Sequence, residues 1–201
     1  MKYLLVIQGH GEPDPGAEGD HTKESDATLD VGLKIEYLAK QVGINVTVSR
    51  RNRYWYDPSK SSTDIYDQIR LGNSRPWDMV MNIHYNAYNR VAYGVEVLYD
   101  NRLYDRSSDG SIAFANLLQS QLVADTGLYS RGVKNVTGVG VLKNISNPVV
   151  LSENGFIDNP QEEIWAADED HRWIIAEAHV KAICKYWGIA YTAKRGGNIM
   201  P

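Results

Sequence analysis

The stretch YLLVIQGHGEPDPGAEG, Tyr3 to Gly19, begins as a strand and ends as something less ordinary. Tyr3 to Ile7 is uniformly apolar and bounded by glycine, the pattern of a strand buried on both faces beneath covering helices. Gly9 to Gly19 then holds four glycines, two prolines, one histidine and three acids in eleven residues. Glycine and proline at that density are sufficient for a turn. His10, Glu12, Asp14 and Glu18 are more than a turn requires, so the loop is a candidate site.

Working outward, apolar residues recur at Ala27, Val31, Ile35, Leu38 and Val42 before Gly43, which predicts an amphipathic helix with a glycine stop. Ile44 to Ser49 alternates and is rich in β-branched residues, a second strand. Asp64 to Gly72 reads as a short helix, Trp77 to Ile83 as a third strand and Gly94 to Tyr99 as a fourth. Ser111 to Gly127 carries Ile112, Ala115, Leu118 and Leu122 at helical spacing. Val139 to Leu142 reads as a brief edge strand and Pro148 to Ser152 as the last buried one. Asp170 to Trp187 closes the chain as a helix with Trp173, Ala176, Val180, Ile183, Cys184 and Trp187 on one face. Strands alternating with helices predict an α/β fold, a single domain with a mixed, mainly parallel β-sheet flanked by helices. The domain is expected over residues 1–189, with 190–201 a tail or the start of a linker.

The 201 residues suit one domain with a sizeable core, and 43% apolar with 23% charged residues is ordinary globular composition. Five Trp and thirteen Tyr against two Phe favour a surface that meets polar, ring-shaped ligands. A net charge of -4 without any Lys/Arg run excludes the usual nucleic-acid and anionic-membrane partners. The one cysteine, Cys184, lies in an apolar helical stripe and is read as core. The apolar run after Lys2 is too short for a secretory signal and enters the glycine loop directly, and no stretch is long enough to span a bilayer. The expectation is a protein made in the cytoplasm without an export signal or membrane insertion.

In open α/β sheets ligands bind beyond the carboxyl ends of the strands. Gln8-Gly9-His10 follows the first strand, His84-Tyr85-Asn86 the third, and Glu153-Asn154-Gly155 the last. If those strands are parallel neighbours, two histidines and a glutamate share one crevice. Two imidazoles and one carboxylate are a known zinc ligand set. Glu24, at the start of the first helix, is the preferred third ligand, although carboxylates also suit helix N-termini for dipole reasons alone. Asp14, Glu12, Asp20 and His21 stay open as alternatives.

GHGEPDPGAEG, Glu24, NIHYNA (Asn82 to Ala87), GVEVLY, RGVK (Arg131 to Lys134) and PVVLSENGFIDN (Pro148 to Asn159) stand in an order and spacing that resembles the zinc-dependent N-acetylmuramoyl-L-alanine amidases of the amidase 3 type. These are bacterial wall enzymes and phage endolysins, and the resemblance covers nearly all of Lys2 to Trp187. It implies a phosphorylase/hydrolase-like α/β catalytic domain in which His10, Glu24 and His84 hold Zn2+ and Glu153 is the catalytic carboxylate. It also implies peptidoglycan, glycan strand and stem peptide together, as the partner of a monomer or weak oligomer. The reaction would be hydrolysis of the amide between N-acetylmuramic acid and L-alanine. Without an export signal, an endolysin would reach the wall through a holin pore, or the enzyme would act in mother-cell lysis. A zinc peptidase on the same scaffold and a catalytically inactive wall-binding module are the competing readings.

Three departures from the family pattern carry expectations of their own. Gln8 stands where an acid is usual, and would accept a hydrogen bond from an imidazole N–H. Glu12 replaces a second glycine and sets an extra carboxylate beside the metal. Ser152 and Asn154 are more polar than the usual neighbours, which would leave Glu153 less desolvated. Asn86, Arg131 and Lys134 are candidate substrate contacts, the last two as loop cations for stem-peptide carboxylates. Tyr54-Trp55-Tyr56, Tyr85 and Tyr88 are candidate groove aromatics, while His21, His171 and His179 are read as structural or exposed.

Overall fold

A computed structural model describes residues 1–54, 64–101 and 109–196. Its elements in chain order are β1 (Tyr3–Gln8), α1 (Glu24–Gln41), β2 (Asn45–Val48), α2 (Asp64–Gly72), β3 (Met79–Asn86), β4 (Val95–Tyr99), α3 (Ser111–Thr126), β5 (Ser130–Asn135), α4 (Gly140–Asn144), β6 (Val149–Phe156), α5 (Ile164–Ala167) and α6 (Glu169–Trp187). One six-stranded sheet has the order β2-β1-β3-β6-β4-β5. The pairings β1 with β2, β1 with β3, β3 with β6 and β4 with β5 are parallel, and β4 with β6 is antiparallel. The chain is thus a single α/β domain built on a mixed, mainly parallel sheet.

The uniform run in β1 has the predicted cause. Leu4 and Val6 pack into one core with Ile35, Leu118 and Ile183, while Leu5 and Ile7 pack into a second with Trp77, Leu142 and Leu151. Successive side chains of a strand point to opposite faces, so a strand covered on both sides must be apolar throughout. α1, α3 and α6 cover the first face, and α2 and α4 the second. Cys184 is buried in the larger core.

Several elements depart from the sequence reading. Val139 to Leu142, expected as an edge strand, enters the short helix α4, whose Val141 and Leu142 are buried in the smaller core. The edge position is taken instead by β5, whose sequence SRGVKN contains a single aliphatic residue and whose side chains are half-exposed or exposed. The last strand also runs beyond Ser152 to Phe156, so Glu153 lies within β6 rather than after it.

The first orphan N–H groups of α1 have no side-chain cap. Glu24 N–H donates to Ala17 O at 2.9 Å and Ser25 N–H to Pro15 O at 3.0 Å. These bonds satisfy the helix terminus and tie the glycine loop to it. At the other end of the chain, Lys194 exchanges hydrogen bonds with the Gln41 side chain, and Arg195 forms a two-pronged pair with Glu177. Residues 192–196 therefore lie against α1 and α6.

Candidate metal centre

Gly9 carries β1 out of the sheet, its N–H donating to Ile83 O at 2.9 Å. A Cβ on Gly9 would stand 2.4 Å from His84 Cε1, so only glycine lets the His84 ring lie there. His10 follows with φ +60, a left-handed conformation uncommon for a side-chain-bearing residue and typical of functional loops. Its ring is held from behind, Nδ1 lying 2.8 Å from Asp14 Oδ2 while Asp14 Oδ1 accepts from Gly16 N–H at 3.0 Å. Burial pushes the Asp14 carboxyl up, but the Gly16 N–H and the His10 ring outweigh it and hold it below its usual value. The opposite ring nitrogen, Nε2, faces Glu24 Oε2 at 3.3 Å.

Glu24, the first residue of α1, is 2% exposed. Its Oε2 accepts from Ala17 N–H and its Oε1 from Tyr85 N–H, both at 3.0 Å, and His84 Nδ1 lies 2.9 Å from Oε1. Burial raises its proton affinity, but the bond and charge of His84, the charge of His10 and the Ala17 N–H together leave it lowered. The two imidazoles meet edge to face at 5.0 Å between centroids. One ligand atom from each of His10, Glu24 and His84 falls within 4.8 Å of the others, the only such group among the described residues. Gly16 closes the cradle, because a Cβ there would stand 2.7 Å from His10 Cδ2 and 2.8 Å from Glu24 Oε2. Two nitrogens and one oxygen, with one imidazole oriented by a carboxylate, fit a zinc ion with open coordination positions.

Beneath this group the buried Arg50 guanidinium donates to Gly9 O at 3.4 Å, Ser25 O at 2.5 Å and Thr28 Oγ1 at 3.1 Å, binding β1, α1 and the chain after β2 together. Gln8 was expected to serve an imidazole. Instead it is fully buried, its amide joined to the Ser49 hydroxyl and the Arg50 backbone. Gln8 is the last residue of β1 and packs toward α1 and the chain after β2, whereas His10 has left the strand at φ +60, and Asp14 takes the expected role from the loop.

Glu153 sits between two partners across the sheet, His84 on β3 and Glu96 on β4. Its Oε2 is enclosed and has no hydrogen-bond partner among the described residues. Burial first, then the charges of Glu24 and Glu96, raise its proton affinity well above the usual carboxylate range. Ser152 and Asn154, the polar neighbours expected to leave it less desolvated, turn to other partners. Both are buried, Ser152 Oγ lying 2.9 Å from His179 Nε2 and Asn154 Nδ2 donating to His84 O at 2.8 Å.

Glu96, which sequence reasoning passed over, is 6% exposed at the crevice end of β4. Its Oε1 accepts from Asn86 Nδ2 at 3.2 Å, and its Oε2 accepts from Arg131 Nε at 2.7 Å and from Lys134 Nζ. The signal was a lone acid in the otherwise apolar GVEVLY. Arg131 and Lys134 are therefore residues of an edge strand already paired to a carboxylate, not loop cations.

The remaining first-loop alternatives lie elsewhere. Asp20 pairs with Arg90, and the exposed His21 ring lies 3.2 Å from Glu163. Glu12 is bridged through its backbone to Arg53 and Tyr54 and is absent from the metal-capable group. Tyr85 is core, its hydroxyl donating to Trp165 O, whereas Tyr88 is exposed. Tyr54 is half-exposed, and Trp55 and Tyr56 lie outside the described residues. His179 is buried and its pKa is pushed down to about 4 by desolvation, and His171 pairs with Asp168.

These features define an α/β domain with a metal-capable His/Glu/His group at its strand ends and a desolvated carboxyl beside it. The chain belongs to the N-acetylmuramoyl-L-alanine amidase family of the amidase 3 type, whose pattern matches residues 4–185. It is 27% identical over 190 residues to an uncharacterized cell wall amidase of Bacillus anthracis, covering 92% of this chain but 35% of that protein's length. It is 28% identical over 209 residues to the endolysin of Bacillus phage SPP1, covering 100% of this chain and 70% of the endolysin. Among solved structures, an N-acetylmuramoyl-L-alanine amidase from Clostridium difficile 630 superposes with a TM-score of 0.82 at 29% identity, over 93% of this chain and 97% of that one.

Proposed function

We propose that the chain is a zinc-dependent N-acetylmuramoyl-L-alanine amidase that cleaves peptidoglycan between the lactyl carbonyl of N-acetylmuramic acid and the α-nitrogen of L-alanine. The observation that carries this reading is the convergence of His10, Glu24 and His84 within 4.8 Å, with Glu153 on the neighbouring strand. Zinc held by the three side chains would supply Lewis acidity at the scissile carbonyl. Glu153 takes a proton from the attacking water as the carbon–oxygen bond forms, and returns it to the alanine nitrogen as the carbon–nitrogen bond breaks. Its raised proton affinity suits both halves of that transfer. Asp14 holds His10 in the orientation that presents Nε2, and Glu24 is pinned through both oxygens by backbone N–H groups.

The likeness to a phage endolysin supports a lytic role, with release through a holin pore or by mother-cell lysis. No helix among the described residues is long and apolar enough to cross a membrane. The proposed partner is peptidoglycan, and the proposed state a monomer or weak oligomer. Residues 1–189 are the proposed catalytic unit and 190–201 the proposed tail or start of a linker, of which Lys194 and Arg195 are tied back to α1 and α6. Digestion of purified peptidoglycan, followed by labelling of new amino termini, tests the reaction. The expected product is free N-terminal alanine. Termini inside the stem peptide would make the enzyme a peptidase, and no new termini would make it a binding module.

A further inference from the structure

The sheet places a second feature at the same end as the metal centre. β4 runs antiparallel to β6 and β5 runs parallel to β4, so the starts of β4 and β5 lie beside the carboxyl ends of β3 and β6. Tyr93 and Tyr129 precede those two strands. Their rings lie 5.2 Å apart at 59° and are 52% and 59% exposed. They line a cleft of about 520 Å³ together with Arg90, Val91, Leu128 and Gln161, a volume within the ~300–1,000 Å³ of typical small-ligand sites. The cleft is joined to the reaction centre through one side chain: Arg131 donates to Tyr93 O at 3.3 Å and to Glu96, the residue opposite Glu153.

The chemistry of the cleft selects its ligand. Arg90 is held by both oxygens of Asp20, at 2.9 and 3.2 Å, and Arg131 is held by Glu96. Glu162, the acid in the wall, is 6% exposed and accepts from Gly94 N–H at 2.8 Å and Phe156 N–H at 2.9 Å. The charges near the cleft are thus already satisfied, which disfavours an anionic stem peptide. What remains is a pair of amphipathic rings with polar tips and the Gln161 amide, a surface suited to a neutral ring with an apolar face and a hydroxylated edge.

We propose that the Tyr93/Tyr129 cleft is a subsite for a pyranose of the glycan strand, neighbouring the muramic acid whose amide is cut. This rests on the proposed amidase reaction for its substrate, but its test includes a measurement independent of turnover. Replacing both rings, Tyr93→Ala with Tyr129→Ala, is expected to raise KM on polymeric peptidoglycan about tenfold with kcat unchanged. Hydrolysis of a soluble muramoyl peptide with no further sugar should be unaffected, and Tyr93→Trp with Tyr129→Phe should restore the polymer KM. Peptide-free oligomers of alternating N-acetylglucosamine and N-acetylmuramic acid, titrated calorimetrically into zinc-loaded protein, should bind the wild type and not the alanine variant. Glycan binding without amide cleavage would overturn the proposed reaction and leave the subsite standing. Equal effects of the alanine variant on both substrates, or unchanged glycan binding by it, would overturn the subsite.

Discussion

Two buried carboxylates flank Glu153, and they have been given opposite partners. Glu24 is met by two imidazoles and two backbone N–H groups, a set whose nitrogens can turn toward an added cation. Glu96 is met by Arg131 and Lys134, so its cations are built into the chain. Burying a carboxylate is costly unless it is paired, and the two sites meet that cost in different ways. The difference teaches that burial and charge alone do not mark a metal site. A carboxylate partnered by imidazoles is available to a metal, because an imidazole nitrogen can itself become a ligand, whereas one already paired with a guanidinium and an ammonium is not.

The largest expected effect on this contrast comes from metal removal. Chelation should abolish amide hydrolysis, with zinc restoring it, while thermal unfolding still reports a folded domain whose Glu96 pairs are intact. Next is Glu153→Gln, which keeps the shape but cannot accept the proton. Turnover of peptidoglycan should fall by about 10²–10⁴-fold, with zinc content unchanged on metal analysis. Asp14→Asn loosens the hold on His10 and should weaken zinc affinity by roughly 10–100-fold in a competition titration with a chelating dye. On the Glu96 side, Arg131→Met should leave zinc binding intact and lower stability by roughly 1–2 kcal/mol in urea unfolding. That is less than for a fully buried pair, because the side chains of Arg131 and Lys134 are 31% and 38% exposed.

The smallest effect concerns pH. The negative charge of Glu96 raises the proton affinity of Glu153. Glu96→Gln removes that charge and should therefore move the acid limb of the pH–rate profile to lower pH. Arg131→Met removes a compensating cation and should move it to higher pH. Shifts in the same direction would show that the two groups do not act through charge on Glu153.

The sequence made the Glu24 side legible and the Glu96 side nearly invisible. β1 could be read because both its faces are covered, and His10 and His84 stood out because polar residues directly after apolar runs fall at the mouth of an α/β sheet. Glu24 lies at the helix start, where a carboxylate is also ordinary, and its convergence with the histidines depends on the loop carbonyls of Pro15 and Ala17 that seat α1. β5 escaped notice because SRGVKN joins the sheet at an edge, where backbone pairing to β4 decides and little apolar patterning is needed. With β5 unread, Arg131 and Lys134 looked like loop cations and Glu96 had no visible partner. Asp14 was one acid among several in its loop. Its bond to His10 follows from the tight turn that Gly11 and Asp14 close by exchanging backbone hydrogen bonds at 2.8 and 2.9 Å.

The central claim is that Glu24, and neither Glu96 nor Glu12, supplies the carboxylate of a zinc site. Zinc stoichiometry and affinity, measured by titrating metal-free wild type and the variants Glu24→Gln, Glu96→Gln and Glu12→Gln, test it directly. The account predicts one tightly bound zinc per chain in the wild type, Glu96→Gln and Glu12→Gln proteins, and loss of tight binding in Glu24→Gln alone. Wild-type affinity in Glu24→Gln, or loss of zinc in Glu12→Gln instead, would contradict it.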